Sequence, residues 1–87
     1  MKNQKMTETQ VAIKDILRKY AFNKSLIENA DPNSNMVKDL KINSARIVDI
    51  VLDIEDAFGI EIDNKSLEEI KTINDLAEII DANISEK

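Results

Sequence analysis

The sequence contains no cysteine and no histidine. Without thiols there can be no disulfide, no thiolate nucleophile and no zinc–thiolate site. Without imidazole, the commonest general base and the commonest metal ligand are missing as well. Glycine and proline occur once each, as Gly59 and Pro32. Turn-rich β architectures use far more of both, so the composition favours helices. No apolar run approaches the length of a membrane span. The opening stretch, Met1 to Thr9, is polar and lacks the apolar segment of a secretion signal. A soluble, cytoplasmic protein is expected.

What is present is a chain of 87 residues with 43% hydrophobic side chains, enough for one compact core and a single domain over 1–87. A chain this short buries a modest share of its surface, so marginal stability is expected. Its 17 acidic and 12 basic side chains are unevenly distributed. Residues 1–43 carry 8 basic and 5 acidic groups, net +3. Residues 44–62 carry 1 basic and 5 acidic groups, and residues 63–87 carry 3 and 7, net −4 in each case. Phosphate backbones would repel the acidic half, so nucleic acid is not an expected ligand. A partner with a basic patch is.

Helical periodicity organises most of the chain. Thr7-x-x-Gln10 reads as a capping box, followed by Ile13, Ile16, Leu17 and Tyr20 on one stripe, predicting a helix from about Thr7 to Ala21. Residues 23–43 read as a long loop, rich in Asn and Asp and anchored by Leu26, Ile27, Met36, Val37 and Leu40. A connection of that length is often functional. A second helix opens at Asn43-Ser44, with Ile47, Val51, Ile54 and Phe58 as its stripe, Val48 and Ile50 beside them, and Asp49, Asp53 and Asp56 opposite. Gly59 stands where a left-handed cap ends a helix. Ile60-Glu61-Ile62 alternates like a strand but has no partner in the sequence, so it reads as an extended connector. A short helix is predicted from Ser66 to Ile70, capped by Ser66 with Glu69. Thr72 caps a last helix with Ile73, Leu76, Ile79 and Ile80 inward and Ile84 as an extension. Ser85 to Lys87 should fray. The predicted fold is all-α: three longer helices, one short helix and a long first loop, with an ordered core of about 7–84.

Val37-x-Asp39-Leu40-x-x-Asn43-Ser44-Ala45 resembles the segment leading into the modified serine of acyl carrier proteins, where the last three residues are Asp-Ser-Leu. Fourteen residues after Ser44, Phe58-Gly59-Ile60-Glu61-Ile62 resembles the family's Phe-Gly-Ile-Glu-Ile. Ile70-Lys71-Thr72-Ile73 falls where that family has Ile-Thr-Thr-Val. The resemblance implies a carrier rather than an enzyme. A 4'-phosphopantetheine arm would be joined to Ser44 through a phosphodiester, and its thiol would hold an acyl group as a thioester. The arm brings the thiol that the chain lacks. A serine at a helix start would present the phosphodiester to unpaired backbone N–H groups. Asn43 flanks the attachment position in place of the family's aspartate, Ala45 replaces its leucine, and Arg46 stands where many members have an acid. A specialised carrier is expected.

In that family, acidic positions on the second helix dock basic patches of partner enzymes. Asp49, Glu55, Asp56 and Glu61 match such positions, whereas Asp53 does not clearly do so. Val48 and Leu52 would supply the apolar part of the surface. Ile54, Phe58, Ile62, Ile70 and Leu76 are candidate lining residues for an acyl chain. The implied partners are a phosphopantetheinyl transferase and acyl-loading, synthase and transferase enzymes, met by a monomeric carrier serving fatty-acid, lipid or secondary-metabolite synthesis.

Other readings remain open at the level of sequence. Asn43-Ser44 suits plain helix capping, and the acidic face suits a solvated surface. An aminoacyl or peptidyl carrier would share the fold and the serine chemistry. A module with this fold and an unmodified Ser44 would only bind a partner. An enzyme would have to rely on carboxylates alone, and no pair of them stands out. Asp31, Asn33 and Asn35 alternate like the start of a calcium loop, but the glycine and glutamate that complete such a loop are missing.

Overall fold

The computed structural model describes residues 6–85. Thr7 opens α1 (Glu8–Leu17) with a reciprocal capping box. Its hydroxyl accepts from the Gln10 N–H at 3.1 Å, and the Gln10 side-chain oxygen accepts from the Thr7 N–H at 2.9 Å. Ile13 and Leu17 are fully buried, with Ile16 and Tyr20 packed partly beside them. The helix ends at Leu17 rather than Ala21. The Lys19 and Tyr20 N–H groups turn to the carbonyls of Ile16 and Leu17, three residues back, which tightens the final turn out of α geometry.

The expected long loop is partly helical. Asn23 is the N-cap of α2 (Lys24–Glu28), its side-chain oxygen accepting from the Ser25 N–H at 3.0 Å. Helix-forming Lys24, Leu26 and Glu28 surround the buried Ile27, so this single turn has both a cap and an anchor. Beyond it, Asn35 ties a compact turn. Its side-chain oxygen accepts from the N–H groups of Val37 and Lys38 at 3.0 and 2.8 Å, and its own N–H donates to Asp39 at 2.8 Å. Asn35 also forms an isolated antiparallel bridge with Thr72. Nearby, the Met36 N–H donates to the Lys71 carbonyl at 2.9 Å, and the Asn74 N–H to that of Pro32 at 2.8 Å. Met36, Leu40 and Ile42 point into the core, whereas Val37, expected among the anchors, is exposed.

A short 3-10 turn, Ser44–Arg46, leads into α3 (Ile47–Phe58). Ile50, Val51 and Ile54 are buried while Ile47 and Phe58 are half-buried, so Ile50 lies at the centre of the inward face. Gly59 ends the helix at φ 66°, ψ 39°, a left-handed conformation that a Cβ would strain. The extended connector follows as expected, Ile60 and Ile62 inward and Glu61 outward. α4 (Asn64–Leu67) starts earlier than the predicted Ser66–Ile70. Asp63, not Ser66, is the cap, because its carboxylate reaches the Ser66 N–H at 2.9 Å. Ile70 is left in the turn after it, buried.

Thr72 caps α5 (Ile73–Ser85) as its sequence predicted. Its hydroxyl accepts from the Asp75 N–H at 3.0 Å, while the Asp75 carboxylate accepts from the Thr72 and Lys71 N–H groups at 3.0 and 2.9 Å. Burial disfavours that charge, but the two N–H donors outweigh it and hold the carboxyl below its ordinary value. Ile73, Leu76, Ala77 and Ile80 face the core; Ile84 is exposed and does not extend the stripe. Glu86 and Lys87, expected to fray, lie outside the described residues. α1 packs against both α3 and α5. The Tyr20 hydroxyl donates to Asp53 on α3 at 2.6 Å, and Lys19 pairs with the same carboxylate at 3.1 Å. The described residues form the expected all-α bundle, with three longer helices and two short ones instead of one. Among the described residues no helix is long and apolar enough to cross a membrane.

Candidate functional site

Ser44 is exposed at the first position of the 3-10 turn. The residues before it fix its direction. Ile42 is buried, and Asn43 is extended at φ −61°, ψ 128°, with its side-chain oxygen accepting from the Ala45 N–H at 2.9 Å. The Arg46 N–H donates to the Asn43 carbonyl at 2.8 Å, and the Ile47 N–H donates to the carbonyl of Ser44. These bonds correct one expectation. The backbone donors after Ser44 are taken within the turn and do not await a phosphodiester, because 3-10 closure and the Asn43 side chain engage them first. The Ser44 hydroxyl itself makes no hydrogen bond within the described residues.

Beside Ser44 opens a cavity of about 420 Å³. Met36, Val37, Ile47, Leu67 and Ile70 give it apolar walls, and Asn35, Lys38 and Lys71 its polar part. Among the described residues no carboxylate lines it. The bridge between Asn35 and Thr72 is what brings Lys38 and Lys71, distant in sequence, to one opening. Neither lysine has an ion-pair partner among the described residues. Arg46, the cation nearest in sequence, is held by Asp49 at 3.0 Å. An exposed hydroxyl, unbonded among the described residues, beside a largely apolar cavity lined by two lysines fits a phosphodiester-linked arm.

The expected partner-facing residues divide into two kinds. Val48 and Leu52 are a turn apart on α3 and more than half exposed, at 54% and 55%. Asp56 and Glu61 are exposed as well. Asp49 is half-buried and paired to Arg46. Glu55 is engaged differently: its carboxylate accepts from the Ile62 N–H at 2.7 Å and fastens the connector to α3. Asp53 ties α3 to α1, and the Tyr20 hydroxyl, then Lys19, hold its carboxyl below the usual range. Of the candidate lining residues, Ile54, Ile62, Ile70 and Leu76 belong to the buried core and Phe58 packs partly against it. Only Ile70 is on the wall of the cavity beside Ser44. Lys38, Leu67 and Lys71 were not among the sequence candidates. Their only sequence signal is closeness to the motifs around Asp39 and Thr72, which does not reveal that the chain joins them.

A family model described as "Phosphopantetheine attachment site" matches residues 23–80. The acyl carrier protein of Coprothermobacter proteolyticus is 37% identical over 60 residues, covering 69% of this chain and 73% of that protein. That of Syntrophobacter fumaroxidans is 33% identical over 75 residues, covering 85% of this chain and 89% of the relative. Among solved structures, an acyl carrier protein from Thermotoga maritima superposes with a TM-score of 0.75 over 94% of this chain and 98% of that one, at 22% identity.

Proposed function

Because this chain belongs to the acyl carrier protein family, whose members hold their cargo on a covalent 4'-phosphopantetheine, we propose that Ser44 is the attachment residue. The observation that carries the reading is the exposed Ser44 at the start of the turn into α3, beside a cavity lined by two lysines and, among the described residues, by no acid. When bound, the prosthetic group supplies the thiol and the reach. The chain's own task is to fix the hydroxyl's position, which Asn43 does by holding the turn from one side and buried Ile42 from the other. The carried group is an acyl chain held as a thioester, and the setting is fatty-acid, lipid or secondary-metabolite synthesis. The chain acts as one carrier domain that docks on basic patches of a phosphopantetheinyl transferase and of acyl-loading and synthase enzymes. Val48 and Leu52 support an apolar centre for that contact, and Asp56 and Glu61, with Asp49, support its charged margin.

Intact mass before and after incubation with coenzyme A and a phosphopantetheinyl transferase tests the assignment. One added phosphopantetheine is expected, and none in Ser44→Ala. That variant should stay folded, because the cap is made by Asn43 and the Ser44 hydroxyl has no bond to lose. No gain with several transferases would overturn the carrier reading, and a gain that persists in Ser44→Ala would overturn the site.

A further inference from the structure

The attachment chemistry places a negative charge at a known point: the phosphodiester is bonded directly to the Ser44 oxygen. At an exposed serine, water and counterions can solvate that charge, and the protein groups nearest it in sequence are already engaged. The N–H groups of Ala45, Arg46 and Ile47 already donate within the turn. The Arg46 guanidinium is paired with Asp49. Two lysines line the same cavity, Lys38 and Lys71, and neither forms a salt bridge among the described residues. Among the described residues no acidic side chain lines this cavity or forms a salt bridge with either lysine, although the Lys71 charge is close enough to Asp75 to help hold that carboxyl below its ordinary value.

We propose that Lys38 and Lys71 clamp the phosphodiester joined to Ser44 and so lay the first part of the arm against Met36, Val37 and Ile70. The inference rests on Ser44 being the attachment residue. The clamp is built by the fold rather than by local sequence. Asn35 orders the turn that carries Lys38, and the Met36–Lys71 backbone bond at 2.9 Å sets Lys71 beside it. The apolar wall then gives the arm's uncharged part a surface to rest on, while the charged joint stays at the exposed edge with the lysines. Both lysines are positioning residues, and neither takes part in forming the bond.

The experiment compares backbone amide chemical shifts of the protein without and with its phosphopantetheine, in the wild type and in Lys38→Gln with Lys71→Gln. In the wild type at low salt, attachment should shift Met36, Val37, Leu67 and Ile70 as well as Ser44 to Arg46. In the double variant the shifts should shrink to Ser44 to Arg46. Salt near 1 M, which cuts the screening length to about 3 Å, should act on the wild type in the same direction. Lys38→Arg with Lys71→Arg keeps both charges and should restore the wide pattern. Both lysines are exposed, so the variants should fold, and melting curves check that they do. Shifts confined to Ser44 to Arg46 in the wild type, or a wide pattern that survives in the glutamine variant, would overturn the clamp while leaving the attachment site intact. Failure of Ser44 to gain mass would instead overturn the attachment site and the clamp with it.

Discussion

Glu55 and Asp56 are neighbouring acids on α3, so lysine substitutions at the two sites make a sharp comparison. The structure gives them different work. Glu55 accepts a hydrogen bond from the Ile62 N–H at 2.7 Å, and Ile62 is only 7% exposed. Asp56 is exposed and has no bond of this kind. Lysine at 55 has no acceptor to offer, so the Ile62 N–H would lose its charged partner. Hydrogen bonds to charged groups contribute about 1.5–3 kcal/mol. Removing an acid from the last turn of α3 returns about 0.3–1 kcal/mol through the helix dipole. The net loss in Glu55→Lys is therefore about 1–2 kcal/mol, or roughly 5–15 °C in Tm for a domain of this size. Glu55→Gln keeps a neutral acceptor and should fall between that variant and the wild type.

Asp56→Lys loses no bond among the described residues and gains the same dipole benefit, so it should be at least as stable as the wild type, by up to about 1 kcal/mol. Thermal unfolding followed by circular dichroism, on the four proteins side by side, measures the difference. Equal melting temperatures for Glu55→Lys and Asp56→Lys would refute the structural role of the 2.7 Å contact. The outcome also decides how docking experiments are read. A loss of partner binding in Glu55→Lys would mix a lost charge with a loosened connector, whereas Asp56→Lys reports on charge alone.

Lys41 has φ 58°, a left-handed conformation that side chains disfavour, and its side chain is exposed. Lys41→Gly should therefore raise stability by about 0.5–1 kcal/mol in chemical denaturation, and a loss would show that the backbone there is not strained. The Asp75 carboxyl is held below its ordinary value against the opposing effect of burial, so its contribution is complete above the unfolded-state value and disappears as pH falls through the lower folded one. Asp75→Asn should lower stability by about 1 kcal/mol at neutral pH, with the gap to wild type closing from about pH 4 downward; a gap independent of pH would assign the effect to shape instead of charge. Asp56→Lys with Glu61→Lys should slow association with a basic partner enzyme at low salt and matter little at high salt, since exposed charges are screened over about 8–10 Å and mainly steer encounter. Unchanged association rates in stopped-flow binding would show that the face is only solvated.

What the sequence makes legible is whatever repeats or stands alone. The stripes of α3 and α5 recur often enough to fix both helices, Gly59 is the only residue in its neighbourhood suited to φ 66°, and Thr72 has Asp75 at capping distance. What it hides depends on which backbone N–H happens to come within reach of a side chain. Asn23, Asn35 and Asn43 look alike in a sequence, and Asn23 and Asn35 both read as loop. In the fold one caps α2, one ties the turn carrying Lys38, and one closes the 3-10 turn at Ser44. Five residues are too few for a periodicity to appear, so α2 is invisible without its cap. Asp63 and Ser66 compete for the same helix start, and the chain reaches Asp63 first. The same reasoning separates the two halves of the proposed carrier site. Its serine is local, readable from the spacing to Phe58 and Gly59. The charge that would receive the phosphodiester is non-local, created when the Met36–Lys71 and Asn35–Thr72 pairings bring two lysines distant in sequence to one cavity. Substituting Asn35 should thus disturb the surroundings of Ser44 without touching the motif that identifies it.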